Sequence, residues 1–480
     1  MKLSQILSNI DYQTHNFFDA KIQHITCSTA DVVKNSLYFC IRGQNTDGHT
    51  LANVAVEVGA VAIVTDHILL DVAVPQIIVA DVRSAMGRMA SNFYHNPRSK
   101  FKLIGCTGTN GKTTTTYMLK SILETAGYKV GLIGTICNMI GEQKFDSQLT
   151  TPDPIELHKI FAQMAKAKVD YVVMEVSAHA IYLNKMAGVV CGAGILTNIT
   201  QDHLDFFETF ENYRDTKLRF LTDEFCKIKV ANIDDMSIQK YVLSQKEGKI
   251  ATFGLKNPCD CFATRITMSM LGTSYIVNLD DELRAVNTRL IGEFNLYNAL
   301  GAALACLRLG IETSAISLGL SSCDFVSGRC NIIPLKNGAF AVVDYAHTPD
   351  GLANILSSIR KVANGKLYSL FGCGGNRDTT KRSIMGKISG EKADFTVITS
   401  DNPRLEDPQA IISQIEEGIK PITQNYCCIQ NRKEAILTTI NKLSPRDVLV
   451  IAGKGAEDYM DIAGEKIHYS DFEVLQEVKK

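Results

Sequence analysis

Short apolar runs recur along the chain, and most of them precede stretches with the spacing of an amphipathic helix. AVAIVTD (60–66) and PQIIVADV (75–82) predict buried strands, whereas SAMGRMASNFYHN (84–96) predicts a helix. FKLIGCTG (101–108) predicts a strand that enters a glycine turn, and KTTTTYMLKSILETAGY (112–128) predicts the helix after it. Alternating strands and helices indicate an α/β fold with mostly parallel sheets.

The alternation continues towards the C-terminus. Around GEFNLYNALGAALACLRLG (292–310) we expect two helical segments. FVSGRCNIIPLKNGAFAVVDYAH (325–347) returns to strands and indicates the start of another domain. LYSLFGC (367–373), DFTVITS (394–400) and DVLVIAGK (447–454) predict further strands, each before helix-like sequence.

Length and pattern together indicate three domains. A chain of 480 residues corresponds to about three domains of roughly 150 residues. HNPRSK (95–100) has the composition of a linker. The predicted domains are therefore residues 1–98, 99–326 and 327–480.

Composition and charge exclude several classes of protein. The chain is 45% hydrophobic and has a net charge of -1, so we expect a soluble globular protein without a nucleic-acid partner. No apolar run reaches the roughly 18 residues that cross a bilayer, and MKLSQILSNIDYQTHNFF turns polar too soon for a signal peptide. The 14 cysteines are scattered, without a CxxC pair or zinc-like spacing. Free thiols in a reducing cytoplasm are the expectation.

IGCTGTNGKTTTTYML (104–119) combines the features of a phosphate-binding loop. A strand, a glycine-rich turn, the sequence Gly-Lys-Thr and a helix follow one another, as a P-loop requires. Lys112 can reach the β- and γ-phosphates, and the Thr113 hydroxyl can hold Mg²⁺. The usual GxxxxGK[ST] spacing is not met, because Cys106 occupies the first glycine position and Gly105 lies one residue earlier. A turn that merely joins strand to helix is the alternative, and the agreement of residue types with flanking elements disfavours it.

Three polar residues further along the chain can complete such a site. Glu175 ends the apolar run DYVVMEV, where a carboxylate could hold a magnesium ion. His203 follows another predicted strand, and Lys217 lies in a predicted helix. Taken alone, His203 would be structural and Lys217 a solvated helix lysine. Only their order after the P-loop favours a functional role.

TGTNGKTT, followed by Glu175, His203 and Lys217 in this order, resembles the Mur ligase superfamily, which includes the folylpolyglutamate synthases. The resemblance covers nearly the whole chain. It implies an N-terminal UDP-substrate domain, a central P-loop ATPase domain with a parallel sheet, and a C-terminal Rossmann-like domain. It also implies ATP and Mg²⁺ as cofactors, with Lys217 carbamylated. The implied metal ligands are Thr113, Glu175, His203 and Lys217, and the implied catalytic residues are Lys112, Lys217 and His203.

The resemblance extends to segments that contact ATP in this family. GEFNLYNALGA contains Asn295, SGR contains Arg329, and VVDYAHTPDG contains Asp344, Tyr345 and His347. The implied ATP-binding residues are Gly108, Thr109, Asn110, Gly111, Lys112, Thr113, Thr114, Asn295, Arg329, Asp344, Tyr345 and His347.

Within the family, the chain is most similar to members that add the third residue of the peptidoglycan stem peptide. LTTPDP (149–154) resembles their muramoyl-peptide-binding loop. Lys185 stands where the family often has an arginine, which keeps the charge and loses the bidentate geometry. The implied UDP-muramoyl-peptide-binding residues are Ser28, Thr150, Thr151, Ser177 and Lys185.

SDNPRLEDP (400–408) contains DNPR, which in this family marks enzymes that accept meso-diaminopimelate. A guanidinium fork suits the distal carboxylate of that amino acid. L-Lysine has no such group, and an unpaired buried guanidinium would cost several kcal/mol. The alternative for Arg404 is a surface turn. The implied amino-acid pocket consists of Arg377, Asp401, Asn402, Pro403, Arg404, Gly453 and Glu457, with Glu457 on the distal ammonium.

The resemblance implies an ATP-dependent ligase that joins meso-diaminopimelate to the D-glutamate of UDP-N-acetylmuramoyl-L-Ala-D-Glu through an acyl phosphate. We expect a cytoplasmic monomer that is not embedded in a membrane. Three departures from the family pattern leave alternatives open: Ala456 replaces the histidine of GKGHE, Ser28-Thr29-Ala30 replaces DSR, and Ala178 replaces a serine. The alternatives are the same chemistry with L-lysine or another amino acid, and a paralogue with another carboxylate substrate.

Two other classes of protein fit the sequence less well. A folylpolyglutamate synthase would share TGTNGKT but would not need an N-terminal domain of about 100 residues or DNPR. A non-catalytic nucleotide-binding protein would be expected to lose Lys112, Glu175 or Lys217, and all three are present.

Overall fold

The computed structural model describes residues 1–43, 46–246 and 248–479. The chain folds into two compact units that each combine several chain segments. The first unit comprises Met1–Thr107, Gly127–Leu196 and Asp215–Lys229. The second unit comprises Gly108–Ala126, Thr197–Arg214 and Val230–Lys480.

Short strands alternate with helices throughout the described chain. In chain order the helices are α1 (Leu3–Ile6), α2 (Ala52–Val58), α3 (Val82–Phe93), α4 (Lys112–Thr125), α5 (Pro154–Lys166), α6 (Ala178–Tyr182), α7 (Leu204–Phe207), α8 (Phe210–Leu218), α9 (Met236–Ser244), α10 (Glu293–Arg308), α11 (Thr313–Ser322), α12 (Pro349–Val362), α13 (Lys381–Lys392), α14 (Pro408–Ile419), α15 (Arg432–Ile440) and α16 (Asp471–Lys479). The strands are β1 (Gln13–His15), β2 (His24–Thr26), β3 (Ser36–Phe39), β4 (Ala60–Thr65), β5 (Gln76–Ile78), β6 (Lys102–Thr107), β7 (Val130–Ile133), β8 (Asn138–Ile140), β9 (Gln143–Phe145), β10 (Tyr171–Glu175), β11 (Cys191–Leu196), β12 (Cys226–Asn232), β13 (Ala251–Gly254), β14 (Cys261–Ser269), β15 (Gly272–Leu279), β16 (Glu282–Thr288), β17 (Asn331–Pro334), β18 (Phe340–Asp344), β19 (Leu367–Phe371), β20 (Phe395–Ile398), β21 (Tyr426–Cys428), β22 (Val448–Ala452), β23 (Tyr459–Ile462) and β24 (Glu465–His468).

The first unit contains a small N-terminal sheet with the strand order β1-β5-β4-β3-β2. Its strands run parallel except for β1, which is antiparallel to β5. Apolar residues of β3 and β4, including Leu37, Phe39 and Val64, pack against Met86 and Met89 of α3. The alternating strands and helices predicted for residues 60–96 therefore form one hydrophobic core.

A second sheet of the first unit places β11, β6, β10 and β7 side by side as parallel strands. The antiparallel strands β8 and β9 follow at its edge. All residues of β10 are buried, including the terminal Glu175. Continuous apolar runs of this kind are typical of parallel strands that are covered on both faces. A carboxylate at the carboxyl end of such a strand lies where ligands bind in α/β sheets.

The second unit contains a sheet of the doubly wound type with the strand order β17-β18-β22-β19-β20-β21. Only β17 is antiparallel to its neighbour. Helices α12, α13 and α14 cover one face with residues such as Leu352, Met385 and Ile415. Helices α15 and α16 cover the other face with Ile436 and Leu475. Helices on both faces explain why β22 is buried along its whole length.

Helix α10 runs without interruption from Glu293 to Arg308, and α11 begins at Thr313. The two helical segments expected around 292–310 are therefore α10, which fills that stretch, and α11, which follows it. Gly301 lies inside α10 and is buried, and tight packing tolerates a glycine whose intrinsic helix propensity is poor. Over the part of the chain that is described, no helix has both the length and the apolar character that crossing a bilayer requires.

Candidate functional site

The loop between β6 and α4 has the conformation of a phosphate cradle. Gly108 and Gly111 have φ values of 148° and 90°. A Cβ on Gly108 would collide with the Thr197 hydroxyl, and one on Gly111 would collide with the Asn298 amide. The two glycines let the backbone turn tightly against these neighbours. The turn leads directly into α4, whose first N–H groups have no partner within the helix and favour an anion.

Two positively charged side chains meet at this loop. Lys112 Nζ donates to the carbonyl oxygens of Gly108 and Thr109, each at 2.9 Å. Arg329 Nη2 donates to Thr113 Oγ1 at 3.1 Å. An ammonium, a guanidinium and a hydroxyl at a helix N-terminus are together suited to the charge and geometry of a polyphosphate.

A cavity of about 530 Å³, here called the loop cavity, opens beside this loop within the second unit. Its volume is in the range of small-molecule and cofactor sites. Many residues that the sequence predicts to bind ATP line it: Asn110, Gly111, Thr113, Thr114, Arg329, Asp344, Tyr345 and His347. Other predicted residues are absent from its described lining: Gly108, Thr109, Lys112 and Asn295.

Asn295 lies behind the cavity wall. Its Nδ2 donates to the Ile291 carbonyl at 2.9 Å, and its Oδ1 accepts from Asn298 Nδ2 at 3.1 Å. Asn298, three residues later on α10, lines the loop cavity and lies against Gly111. The sequence analysis missed Asn298, although the spacing of three residues places it on the same helix face as Asn295.

Arg329 connects the loop with the end of β18. The Asp344 carboxylate accepts from the backbone N–H groups of Cys330 at 2.7 Å and Ala346 at 2.8 Å. Burial raises the pKa of Asp344, and the Arg329 guanidinium opposes that rise. The same guanidinium lies 4.6 Å from the ring centroid of Tyr345, which is a cation–π distance. These contacts fix the orientation of Arg329 towards the loop.

Asp350 is a further link that the sequence analysis did not identify. It lies in the first turn of α12, and its Oδ2 accepts from Asn110 Nδ2 at 2.8 Å and Thr200 Oγ1 at 3.2 Å. Burial raises the pKa of Asp350, and the hydrogen bond from Thr200 opposes that rise. Asp350 therefore ties the phosphate-binding loop to the C-terminal sheet. The signal available was an acidic residue directly after Pro349, a residue type that commonly begins a helix.

Another part of the lining of the loop cavity has a different chemistry. Phe294 and Tyr297 of α10 line it together with Asn232 and Asp234. Asp234 Oδ2 accepts from the Tyr297 hydroxyl at 2.9 Å. Aromatic faces beside amide and carboxylate groups are suited to a planar heterocycle with exocyclic polar groups. The sequence analysis named none of these residues, because they are scattered between positions 232 and 297.

His203 lies at the entrance to α7 in a left-handed conformation with a φ of 53°. Its Nε2 is 3.5 Å from Asp202 Oδ2. Burial alone would raise the pKa of Asp202. Nearby His203, His347 and Lys112 outweigh that effect and hold the pKa below its usual value. His203 and Lys112, both predicted to act in catalysis, therefore share one electrostatic environment.

The first unit brings together another group of predicted residues around Glu175. Its carboxylate accepts from the Thr135 backbone N–H at 2.8 Å and from the Thr135 hydroxyl at 3.0 Å. The Thr135 hydroxyl also lies 3.0 Å from that of Thr150. Thr151 Oγ1 donates to the Glu175 carbonyl at 2.9 Å and accepts from the Ser177 N–H at 2.9 Å. Thr135 was missed, because nothing local in the sequence distinguishes it.

The remaining predicted residues of the first unit have separate environments. Lys185 Nζ forms an ion pair with Asp153 Oδ1 at 2.8 Å, which ties it to the LTTPDP loop. Lys217 lies near the end of α8 and is 1% exposed. The Ser28 N–H donates to Thr26 Oγ1 at 3.0 Å. Their roles stay predictions.

The C-terminal residues of the predicted amino-acid pocket follow the carboxyl ends of neighbouring parallel strands. Arg377 follows β19, Asp401 follows β20 and Gly453 follows β22. Gly453 has a φ of 112°, and a Cβ there would collide with the Asp401 carboxylate. Residues from separate parts of the sequence thus meet at one sheet edge, as the doubly wound arrangement requires.

A partly buried network, here called the Asn402 cluster, consists of Asn402, Arg404, Lys454, Glu457 and Asp461. Asn402 Nδ2 donates to Glu457 Oε2 at 2.9 Å. Lys454 Nζ, which is fully buried, donates to Asn402 Oδ1 and to Glu457 Oε2, each at 3.1 Å. Lys454 is the residue that the sequence analysis missed here, although it stands beside Gly453 in GKGAE.

Arg404 forms the open side of the Asn402 cluster. Its Nη1 donates to the Gly375 carbonyl at 2.7 Å, and its Nε is 3.8 Å from Asp461 Oδ2. Among the described residues, the other guanidinium N–H groups have no protein acceptor in hydrogen-bond range. Arg377 is exposed on the preceding loop, and Pro403 packs against Gly375. The guanidinium is thus held in place and retains donors for a ligand.

Comparison with known families gives matches along most of the chain. Residues 21–94 match the Mur ligase family catalytic domain, residues 106–306 the Mur ligase middle domain, and residues 328–455 the Mur ligase glutamate ligase domain. These matches confirm the predicted three-domain α/β class. The exact boundaries at residues 98 and 326 stay a prediction.

Individual relatives agree with this assignment. The UDP-N-acetylmuramoyl-L-alanyl-D-glutamate–2,6-diaminopimelate ligase of Clostridium tetani (strain Massachusetts / E88) is 43% identical over 100% of this chain and 99% of its own length. A solved structure with the same enzyme name has a TM-score of 0.70 at 26% identity, covering 100% of this chain and 98% of the other. MurF ligase from Thermotoga maritima in complex with ADP shares the fold, with a TM-score of 0.62 at 18% identity, covering 90% and 94%. The chain belongs to the Mur ligase family.

Proposed function

We propose that this protein is an ATP-dependent ligase that joins meso-diaminopimelate to the D-glutamate carboxylate of UDP-N-acetylmuramoyl-L-Ala-D-Glu. The observation that carries the proposal is the Asn402 cluster, which combines the guanidinium of Arg404, anchored on Gly375, with the Glu457 carboxylate, held by Asn402 and Lys454. Opposite charges at fixed positions suit an α-amino acid centre, which has both an ammonium and a carboxylate. The names of the relatives at about 43% identity support the same substrate.

The loop cavity is suited to ATP. Gly108, Gly111 and the start of α4 form the phosphate cradle, and Lys112 and Arg329 would neutralise charge on the γ-phosphoryl group. Phe294 and Tyr297 would border the base. The substrate carboxylate oxygen attacks the γ-phosphorus while the bond to the β-phosphate oxygen breaks, which gives ADP and an acyl phosphate. Because the carboxylate is already a nucleophile, the side chains mainly supply positioning and charge neutralisation.

The second half of the reaction forms the amide. The amino nitrogen of the bound amino acid attacks the acyl carbon, the carbon–oxygen bond to phosphate breaks, and the nitrogen releases a proton. Asn402, Arg404 and Glu457 would hold the distal end of the amino acid, so that its other amine can reach the acyl phosphate. Holding both reactants converts a bimolecular step into one within a single complex.

The hydroxyl of Thr113 and the carboxylate of Glu175 fit Mg²⁺, which prefers oxygen ligands. We assign Thr113, Glu175, His203 and Lys217 to the metal sites, with Lys217 carbamylated. Lys217 is 1% exposed, and a carbamate would turn its side chain into an oxygen ligand. Bound Mg²⁺ would reduce the repulsion between the triphosphate and the carboxylate.

We assign the UDP-muramoyl dipeptide to the first unit. Thr150, Thr151 and Ser177 present hydroxyls around Glu175, and Lys185 offers a positive charge beside them. Ser28 is assigned to the UDP end by family resemblance alone. A dipeptide with two carboxylates and a diphosphate needs such donors and cations.

The localisation, oligomeric state and domain boundaries that we expect together with this function are also proposals. We infer that the enzyme acts as a cytoplasmic monomer without nucleic-acid partners, and that its domains comprise residues 1–98, 99–326 and 327–480. Ala456, where the family has a histidine, keeps open the use of L-lysine or another amino acid. A paralogue with another carboxylate substrate is the second alternative.

A single experiment separates these possibilities. The purified protein is incubated with ATP, Mg²⁺ and UDP-N-acetylmuramoyl-L-Ala-D-Glu, with one amino acid of a panel in each tube, and products are identified by mass spectrometry. We expect an adduct with meso-diaminopimelate and little with L-lysine. A lysine adduct instead would refute the pocket assignment and keep the ligase. No adduct from protein that binds ATP would indicate a different acyl substrate.

A further inference from the structure

The first unit carries a second cluster of ligating side chains, away from every role assigned above. His49 precedes α2, and Asp66 and His67 directly follow β4. Each of the three offers one ligand atom, and these atoms all lie within 4.8 Å of one another. Two imidazoles and a carboxylate at such distances are the donor set of many zinc sites.

The His49 imidazole is already oriented as in a metal site. Its Nδ1 donates to Asp47 Oδ1 at 2.6 Å, and its backbone N–H donates to the same oxygen at 3.0 Å. Because a carboxylate can only accept, the proton lies on Nδ1 and the lone pair lies on Nε2. Metal-binding histidines are commonly held by such a carboxylate on the other ring nitrogen.

The Nε2 atom of His49 has no satisfactory partner. It is buried and, among the described residues, makes no hydrogen bond, and the side chain is only 6% exposed. Asp66 Oδ1 lies 3.2 Å away but outside hydrogen-bond geometry. Metal–ligand bonds of about 2.0–2.1 Å in a tetrahedral site separate neighbouring ligand atoms by roughly 3.3 Å. The spacing between His49 and Asp66 therefore suits a cation bound to both.

His67 supplies the third ligand. Its Nδ1 contacts Asp66 Oδ1, and its ring stacks on His49 with centroids 5.0 Å apart. The contact with Asp66 is a hydrogen bond, which metal binding would replace after rotation of the His67 side chain, 52% of which is exposed. Arg42 lies 3.5 Å from Asp66 and 3.6 Å from Asp47, so it competes with a cation.

We propose that His49, Asp66 and His67 bind a divalent transition metal of the Zn²⁺ or Co²⁺ type, with Asp47 orienting His49 and a water in the fourth position. Imidazole ligands favour these metals over Mg²⁺. The site is thus chemically distinct from the magnesium sites of the proposed ligase.

The test uses the full-length protein and Co²⁺ alone as the probe, in buffer with excess Mg²⁺, and measures bound Co²⁺ by equilibrium dialysis. Wild type is compared with Asp66→Asn, His67→Ala and the control His468→Ala. The control removes an exposed histidine that also pairs with a carboxylate, Glu473, at 2.8 Å. Co²⁺ bound to cysteine thiols would be retained in wild type and in all three variants, so it would not affect the comparison.

We expect Asp66→Asn and His67→Ala to bind one Co²⁺ fewer per chain, or to bind it at least tenfold more weakly, and the control to match wild type. Co²⁺ should raise the melting temperature of wild type and not that of His67→Ala. Melting in metal-free buffer checks folding, and exposed His67 should be replaceable without loss. Arg42→Gln should bind Co²⁺ more tightly. Equal binding by all variants, or weaker binding by Arg42→Gln, would overturn the proposal.

Discussion

Replacing Arg404 tests the amino-acid pocket most directly. Of its five N–H groups, one donates to the Gly375 carbonyl and Nε faces Asp461, so the others suffice for a bidentate bond to a carboxylate. Each charge-assisted hydrogen bond contributes about 1.5–3 kcal/mol. Because the side chain is 27% exposed, we take the lower half of that range for each bond. Arg404→Met should therefore lose about 3–4 kcal/mol, or roughly 100- to 1,000-fold in kcat/KM for meso-diaminopimelate.

The assay is steady-state phosphate release with each substrate varied in turn. Arg404→Lys should lose about 10- to 100-fold, since one ammonium replaces one bond of the fork. The KM for ATP should stay unchanged in both variants, because the side chain lies outside the described lining of the loop cavity. Activity with L-lysine, which has no distal carboxylate, should not fall.

The matched control is Arg404→Met combined with Asp461→Asn. The single variant leaves Asp461 without its partner, and the exposed ion pair contributes less than about 1 kcal/mol. The double variant should therefore show the same loss in kcat/KM as Arg404→Met. Equal losses for meso-diaminopimelate and L-lysine, or wild-type activity of Arg404→Met, would refute the role of the guanidinium.

Three further predictions concern the loop, a buried ion pair and a titrating carboxylate. Lys112→Met should lower kcat by about 100- to 1,000-fold, because positive charge at the phosphoryl group is lost. Lys240 is exposed, and the control Lys240→Met should match wild type in the same assay. The fully buried Arg432 is paired with Asp471 at 2.8 and 2.9 Å, and Asp471→Asn removes its counter-charge. The free energy of unfolding of the C-terminal domain in urea should therefore fall by about 3–5 kcal/mol. A loss below about 1 kcal/mol would contradict this. Burial raises the pKa of Asp350, so the folded state holds its proton more tightly than the unfolded state. The stability that Asp350 contributes is then fully present below its ordinary pKa and is lost as pH rises through the folded pKa. The melting temperature of Asp350→Asn should therefore rise relative to that of wild type as pH rises from about 4 to 7. A constant difference between the two melting temperatures across that range would show that the pKa of Asp350 is not raised.

Local sequence was sufficient for the parts of the site that depend on neighbouring residues. The phosphate-binding loop was predictable because a strand, glycines with positive φ and a helix N-terminus are consecutive in the chain. Glu175 was predictable because a carboxylate ends a run of buried residues. The α/β class followed from the period of apolar positions, which depends only on residues a few positions apart.

Tertiary structure alone decided which distant residues meet. Three pairs of residues that form hydrogen bonds are far apart in the sequence. Thr135 and Glu175 are separated by 40 positions, Asn110 and Asp350 by 240, and Asn402 and Lys454 by 52. No local pattern encodes such pairs, since they arise where the carboxyl ends of parallel strands converge on one edge. Periodicity thus determined the elements and the loop, and the folding of the sheets determined which side chains share each site.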